Sequence, residues 1–134
     1  MNINFNFSWK READGYTPVS NSTFLNQDGV SLLDCVITDS GGLCNLETIP
    51  WPDEGIKKIK SVATGELESS DWHRETWGVE FRKNKAKIYS LHDEEYFQIL
   101  SIDGFLRVLQ EWKAFLQSKP DDLKTKTRNF SITG

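Results

Sequence analysis

Residues 2–9 read Asn-Ile-Asn-Phe-Asn-Phe-Ser-Trp, with apolar side chains at 3, 5, 7 and 9 and polar ones at 2, 4, 6 and 8. A period of two sends successive side chains to opposite faces, so this stretch is a β-strand covered on one side and wet on the other. Four large side chains on the covered side need an apolar layer to pack against. The clearest apolar stripe in the chain lies near its other end. Ile102, Phe105, Leu106, Leu109, Trp112 and Leu116 recur at helical spacing, and Val108 and Phe115 widen the stripe. That is the inward face of an amphipathic helix, with Ser101 placed to cap its start and Pro120 to stop it just beyond its end. With the elements that follow, strands and helices in this order point to an α+β fold in which helices collect on one face of a sheet.

The remaining elements follow from the same periodicities. Trp77, Val79 and Phe81 alternate, and "KAKIYS" returns after Lys83 and Asn84, which predicts a hairpin. "HDEE" is a short acidic link to a third strand, "YFQIL". Pro52, Asp53 and Glu54 suit the first turn of a helix that buries Ile56, Ile59 and Val62 and ends at Gly65. "VSLLDCVI" (30–37) is apolar on most of both sides and is expected to be a strand. Residues 10–28 lose periodicity and are expected to form a long polar connection, with at most a short extended piece near 22–25. "TDSGGLCN" is a turn, and the last residues, "DDLKTKTRNFSITG", have no evident period and are expected to be loosely held. The architecture expected is one antiparallel sheet of about five strands with two helices on one face. It forms a single domain over 1–134: an acidic strand and loop part (1–55), a helix, three-strand meander and helix (56–118), and a tail (119–134).

A chain of 134 residues with 16 aromatics has the apolar bulk for one core. No apolar run approaches the ~20 residues of a membrane-spanning helix, and the first residues carry no signal-peptide pattern, so a soluble, cytoplasmic protein without membrane association is expected. The net charge of −4 has the wrong sign for holding phosphate backbones, which argues against direct nucleic-acid binding. The charge is unevenly distributed. Residues 1–55 carry two basic and eight acidic side chains, net −6, whereas residues 56–134 carry fourteen basic and twelve acidic, net +2.

Catalytic patterns are scarce. Nucleophile elbows, phosphate-binding glycine loops and paired metal-binding histidines are missing, so no catalytic residues, metal or cofactor are expected. His73 and His92 sit in unrelated polar contexts; Cys35 lies in an apolar run and Cys44 in a glycine loop, and both are expected reduced. Asp93, Glu94 and Glu95 read either as a solvated turn or as a carboxylate cluster for acid/base or metal chemistry, the latter being the basis of an alternative reading as a small hydrolase. Trp112 and Trp77 belong to periodic stripes and so to the core. Trp51 and Trp72 instead sit beside acids in polar links, the composition either of a binding anchor or of a loop tryptophan folded back as a lid on the core.

The direction of travel in the meander brings the acids together. The strand beginning near Trp77 starts after Asp71 and Trp72, and its neighbour returns Asp93 to Glu95 to the same end, about 25 Å from Lys83 and Lys85 at ~3.3 Å per residue. The expected partner-binding site is therefore Glu66, Glu68, Asp71, Trp72, Asp93, Glu94 and Glu95, with Asp53 and Glu54 adjoining.

From Ile56 to Leu116, the helix ending in glycine, the hairpin closing on "KIYS", the acidic turn and the final F-x-x-x-L-x-x-W-x-x-F-L helix resemble small bacterial immunity proteins of contact-dependent inhibition and other polymorphic toxin systems. The matching positions are Gly65, Trp77, Val79, Ile88, Tyr89, Phe105, Leu109, Trp112, Phe115 and Leu116. The resemblance implies a non-catalytic protein that masks the active site of a cognate toxin, commonly a basic nuclease. It assigns no binding residues, because such proteins vary their toxin-binding surfaces. A structural or adaptor domain is the other reading in view.

Overall fold

A computed structural model describes residues 2–13, 15–40, 48–118 and 127–134. The chain order is β1 (Asn2–Glu12), β2 (Gly15–Ser22), α1 (Leu32–Thr38), α2 (Pro50–Ala63), β3 (Ser69–His73), β4 (Trp77–Arg82), β5 (Lys85–Ser90), β6 (Asp93–Ser101), α3 (Ile102–Ser118) and β7 (Thr127–Thr133). The fold is α+β, but its strands form two antiparallel sheets, β2-β1-β7 and β3-β4-β5-β6, where a single five-stranded sheet was expected. Three helices, not two, occur among the described residues. α1 touches β2 of one sheet and β4, β5 and β6 of the other, while α3 touches β7 as well as β5 and β6. α1 and α3 thus lie between the two sheets, α2 packs on α3, β3 and β4, and all three contribute to one continuous core.

β1 is the central strand its alternation predicts. Ile3, Phe5, Phe7 and Trp9 are buried, and Phe7 meets Trp112 edge-on with ring centroids 4.9 Å apart. The polar face carries cross-strand hydrogen bonds: Asn6 Nδ2 donates to Asn129 Oδ1 (2.6 Å) and Ser131 Oγ to Asn4 Oδ1 (2.6 Å). These bonds belong to β7, in the segment expected to be loose, whose Phe130 and Ile132 are buried beside β1. β2 likewise replaces most of the expected long connection, pairing with β1 from Phe5↔Ser22 to Glu12↔Gly15. Its inward positions are Tyr16, Pro18, Ser20 and Ser22, too polar and small to register as an apolar period. Pro18 is tolerated because β2 is an edge strand, where a missing N–H costs no ladder bond.

The strand expected over 30–37 is instead helix α1. Leu32, Leu33, Val36 and Ile37 are buried, a helical set at i, i+1, i+4 and i+5. Ser31 caps it, its Oγ accepting from the Asp34 N–H at 3.1 Å. The Asp34 carboxylate then accepts from Ser20 Oγ (2.6 Å), Ser22 N (2.8 Å) and Ser22 Oγ (3.1 Å), bonding α1 to β2. Burial pushes the Asp34 carboxyl up despite these bonds.

α2 and α3 match their expected faces. Gly65 follows α2 with φ +81°, and its N–H reaches the Val62 carbonyl, as a left-handed C-terminal residue should. Ser101 Oγ accepts from the Gly104 N–H at the start of α3. Gly55 lets the two helices approach, since a Cβ there would lie 2.7 Å from Leu109 Cδ1. The β4–β5 hairpin turns at Lys83 and Asn84, between the pair Arg82↔Lys85. β3 precedes it in a stretch expected to be a polar link. Cys44 and Pro120 lie outside the described residues.

Candidate functional site

The expected acidic end of the sheet does not form as one surface. Because β3 is an additional antiparallel strand, with Ser69 opposite Arg82 and His73 opposite Gly78, Glu66 and Glu68 are carried to the Arg82 and Lys85 end. Asp93, opposite Ser90, is at the other end. A six-residue strand separates them, about 17–20 Å. Asp93, Glu94 and Glu95 belong to the first part of β6, not to the preceding turn.

Trp72 is not an exposed anchor. It faces inward from β3, is only 2% exposed, and packs edge-on against Phe105 with ring centroids 6.2 Å apart. Its indole Nε1 is buried without a hydrogen-bond partner, and ring packing together with the Arg74 guanidinium 5.8 Å from its ring centroid surrounds it. Trp51 is half-buried against the core, with the Arg74 guanidinium 3.0 Å from its ring centroid. Both tryptophans line a small cavity of ≈ 50 Å³ with Arg74, Asp39 and Trp112.

Asp53 and Glu54 serve the helix layer. Lys113 Nζ lies 2.6 Å from Asp53 Oδ1 and joins α3 to α2, and Lys58 Nζ lies 3.7 Å from Glu54 Oε1 one turn away. Two acids of the N-terminal part are also structural: Asp34 through the bonds above, and Asp39 through its Oδ2, which accepts from the N–H groups of Thr76 (2.7 Å) and Trp77 (3.2 Å).

Two of the expected residues do meet. On the outer face of β3–β6, Asp71 lies opposite Glu80 and Glu80 opposite Lys87. Glu94 joins them, so that Asp71, Glu80, Lys87, Tyr89 and Glu94 surround one surface depression. The Tyr89 hydroxyl lies 3.0 Å from His73 Nε2. Burial and then the negative charge of Asp71, Glu94 and Glu80 push the Tyr89 phenol up. Glu80 and Lys87 escaped the sequence reading, which weighed His73 only as an isolated polar histidine and Tyr89 only as a position of the resemblance. They become legible once 69–73 is a strand, since Asp71 and His73 then alternate outward around the inward Trp72.

The face continues across β6, where Phe97 is 45% and Ile99 43% exposed, and Lys87 Nζ sits 4.6 Å from the Phe97 ring centroid. An open sheet face of carboxylates and aromatic rings recognises another surface by charge and area; it does not enclose a small substrate away from water. Within the Asp93–Glu95 run, Asp93 Oδ1 accepts from the Glu95 N–H at 3.1 Å, a local turn bond. Among the described residues no three or more His, Cys, Asp or Glu side chains gather where they could hold a metal ion. Cys35 is a free thiol, and burial followed by Asp34 and Asp39 pushes its pKa up, away from a reactive thiolate. No helix among the described residues is long and apolar enough to cross a membrane. The chain matches no known family, no characterised protein and no solved structure.

Proposed function

We propose that this chain is a non-catalytic immunity-type protein that binds a cognate basic toxin and blocks its active site. The observation that carries the reading is the outer face of β3–β6, where Asp71, Glu80 and Glu94 converge around Tyr89 beside the exposed Phe97 and Ile99. Three carboxylates against the one ammonium of Lys87 make this depression attractive to lysine and arginine side chains, and the rings beside it provide contact area. The resemblance of residues 56–116 to immunity proteins of polymorphic toxin systems supports the same class.

The test is to express the protein encoded by the adjacent gene, alone to establish whether it is toxic and then together with this chain. The parent protein forms a stable complex and rescues growth, whereas Asp71→Lys with Glu94→Lys, both exposed, slows association by about tenfold or more and flattens its salt dependence without shifting the melting temperature. Failure of complex formation and rescue overturns the reading, as does reproducible turnover by the protein alone that substitution of His73 or Glu94 abolishes.

A further inference from the structure

β6 is the terminal strand of its sheet, pairing only with β5 among the described strands, and at nine residues it is the longest strand of that sheet. Exposed edges of this kind are normally guarded by proline, by brevity or by charge, because their free N–H and C=O groups accept another strand. Of the other three edges, β2 contains Pro18, β3 has only five residues, and β7 carries the charge of Arg128. In β6 the run Tyr96-Phe97-Gln98-Ile99-Leu100-Ser101 contains neither charge, proline nor glycine.

A groove runs along this edge between residues 24–28 and 95–99. Its far wall is held to β6 by side chains: Gln98 Nε2 donates to the Phe24 carbonyl (3.3 Å), Asn26 Nδ2 to Tyr96 Oη (2.8 Å), and Tyr96 Oη to Asp28 Oδ2 (3.2 Å). Leu25, 57% exposed, stands across from Phe97 and Ile99. Of the residues lining the groove, Asp28 and Glu95 are acidic and none is basic.

We infer that this groove takes an extended, lysine- or arginine-bearing segment of a partner protein, which adds to β6 as a further strand. Its backbone pairs with the free edge, its apolar side chains meet Leu25, Phe97 and Ile99, and its cations meet Asp28 and Glu95. Charge decides against a second copy of this chain. Joining two such edges would bring Asp28 and Glu95 of both copies into one seam with no cation from either groove, whereas a basic segment neutralises them. The inference deepens the proposed function by giving the basic partner a mode of attachment beside the Asp71, Glu80 and Glu94 face.

The probe is the six-residue peptide Lys-Thr-Val-Thr-Val-Lys, acetylated and amidated, which carries a lysine and two valines on one face of the strand and a lysine on the other. Two controls accompany it: the same peptide N-methylated at alternate residues, and its glutamate counterpart. Hydrogen exchange of the full chain is followed residue by residue. The parent peptide is expected to slow exchange of amides within 95–101 by about tenfold or more in a saturable way, and both controls are expected to do nothing. Leu25→Lys with Ile99→Lys, both at exposed positions, should weaken the effect at least about tenfold while melting like the parent. The inference is overturned if β6 amides are not slowed, if the N-methylated peptide slows them equally, or if only the Asp71, Glu80 and Glu94 face responds. Protection that rises with protein concentration without peptide would mean that a second copy occupies the edge, and also overturns it. None of these results touches the toxin-rescue assay, so this inference and the proposed function fail separately.

Discussion

Replacing Trp112 by alanine tests the junction on which the fold depends. Trp112 is 3% exposed on α3, with Phe7 of β1 edge-on at 4.9 Å and Phe115 stacked at 5.9 Å. Burying a large aromatic removes roughly 150–250 Å² from water, worth about 4–6 kcal/mol at ~25 cal/mol/Å². Residual compactness of the unfolded chain trims this by about 10–40%, and the retained Cβ trims it further. Loss of the ring contacts and the cavity left between α3 and β1 restore part of the difference, so a cost of about 4 kcal/mol is expected. Domain stabilities lie near 5–15 kcal/mol, so this one change removes a large share of the total. Urea denaturation followed by tryptophan fluorescence measures it. At a slope of roughly 1.5 kcal/mol/M the midpoint falls by about 2.5 M, and the melting temperature by about 15 °C. A double-mutant cycle of Trp112→Leu with Phe7→Leu should return a coupling of about 0.5–1.5 kcal/mol. A midpoint shift below about 0.5 M with an unchanged slope would refute the reasoning, because a buried ring at a strand-to-helix junction cannot be lost so cheaply.

Ser31→Ala removes both the cap of α1 and a hydroxyl 2.9 Å from Ser22 Oγ, so chemical denaturation should show a loss of about 1–2 kcal/mol, and a change below ~0.3 kcal/mol would deny the cap any role. Glu111 is held below the usual carboxylate range by the Arg128 and Arg107 guanidinium groups, with Arg128 Nε 2.7 Å from Glu111 Oε2. A depressed carboxyl stabilises the fold above its unfolded value, here 4.5, and that stability disappears as pH falls through the folded value. The melting-temperature gap between the parent and Glu111→Gln should therefore be open above pH 4.5 and close as the solution is acidified; a gap that stays constant would contradict the linkage.

Several elements announce themselves in the chain because each is a local pattern of one-sided burial. The alternation of Ile3, Phe5, Phe7 and Trp9 specifies β1, the 102–116 stripe specifies α3, and the Ile56-Ile59-Val62 spacing with Gly65 specifies α2. Lys83 and Asn84 mark their hairpin in the same way. The segment 30–37 reads as a strand and is a helix, because a short apolar run fits either by period and the one helical signal, Ser31-x-x-Asp34, is a cap pattern of only two residues. Only the tertiary structure decided between them, because Asp34 finds its donors on β2 and Gln98 Oε1 of β6 accepts from the Leu32 N–H at 2.7 Å, bonds that join residues distant in sequence.

β2, β3 and β7 share that dependence. Ser20 and Phe130 are buried because β1 stands between their strands and completes the layer, not because their own segments carry a strong period. The same reason governs the candidate site. The sequence by itself determined an acidic, aromatic chain with an α+β pattern and little catalytic inventory. Which acids share a surface depended on whether 69–73 forms a strand. One added antiparallel strand carries Glu66 and Glu68 to one end of the sheet, buries Trp72 and sets Asp71 beside Glu80, because each reversal of direction moves the flanking residues by a full strand length and each alternate side chain changes face.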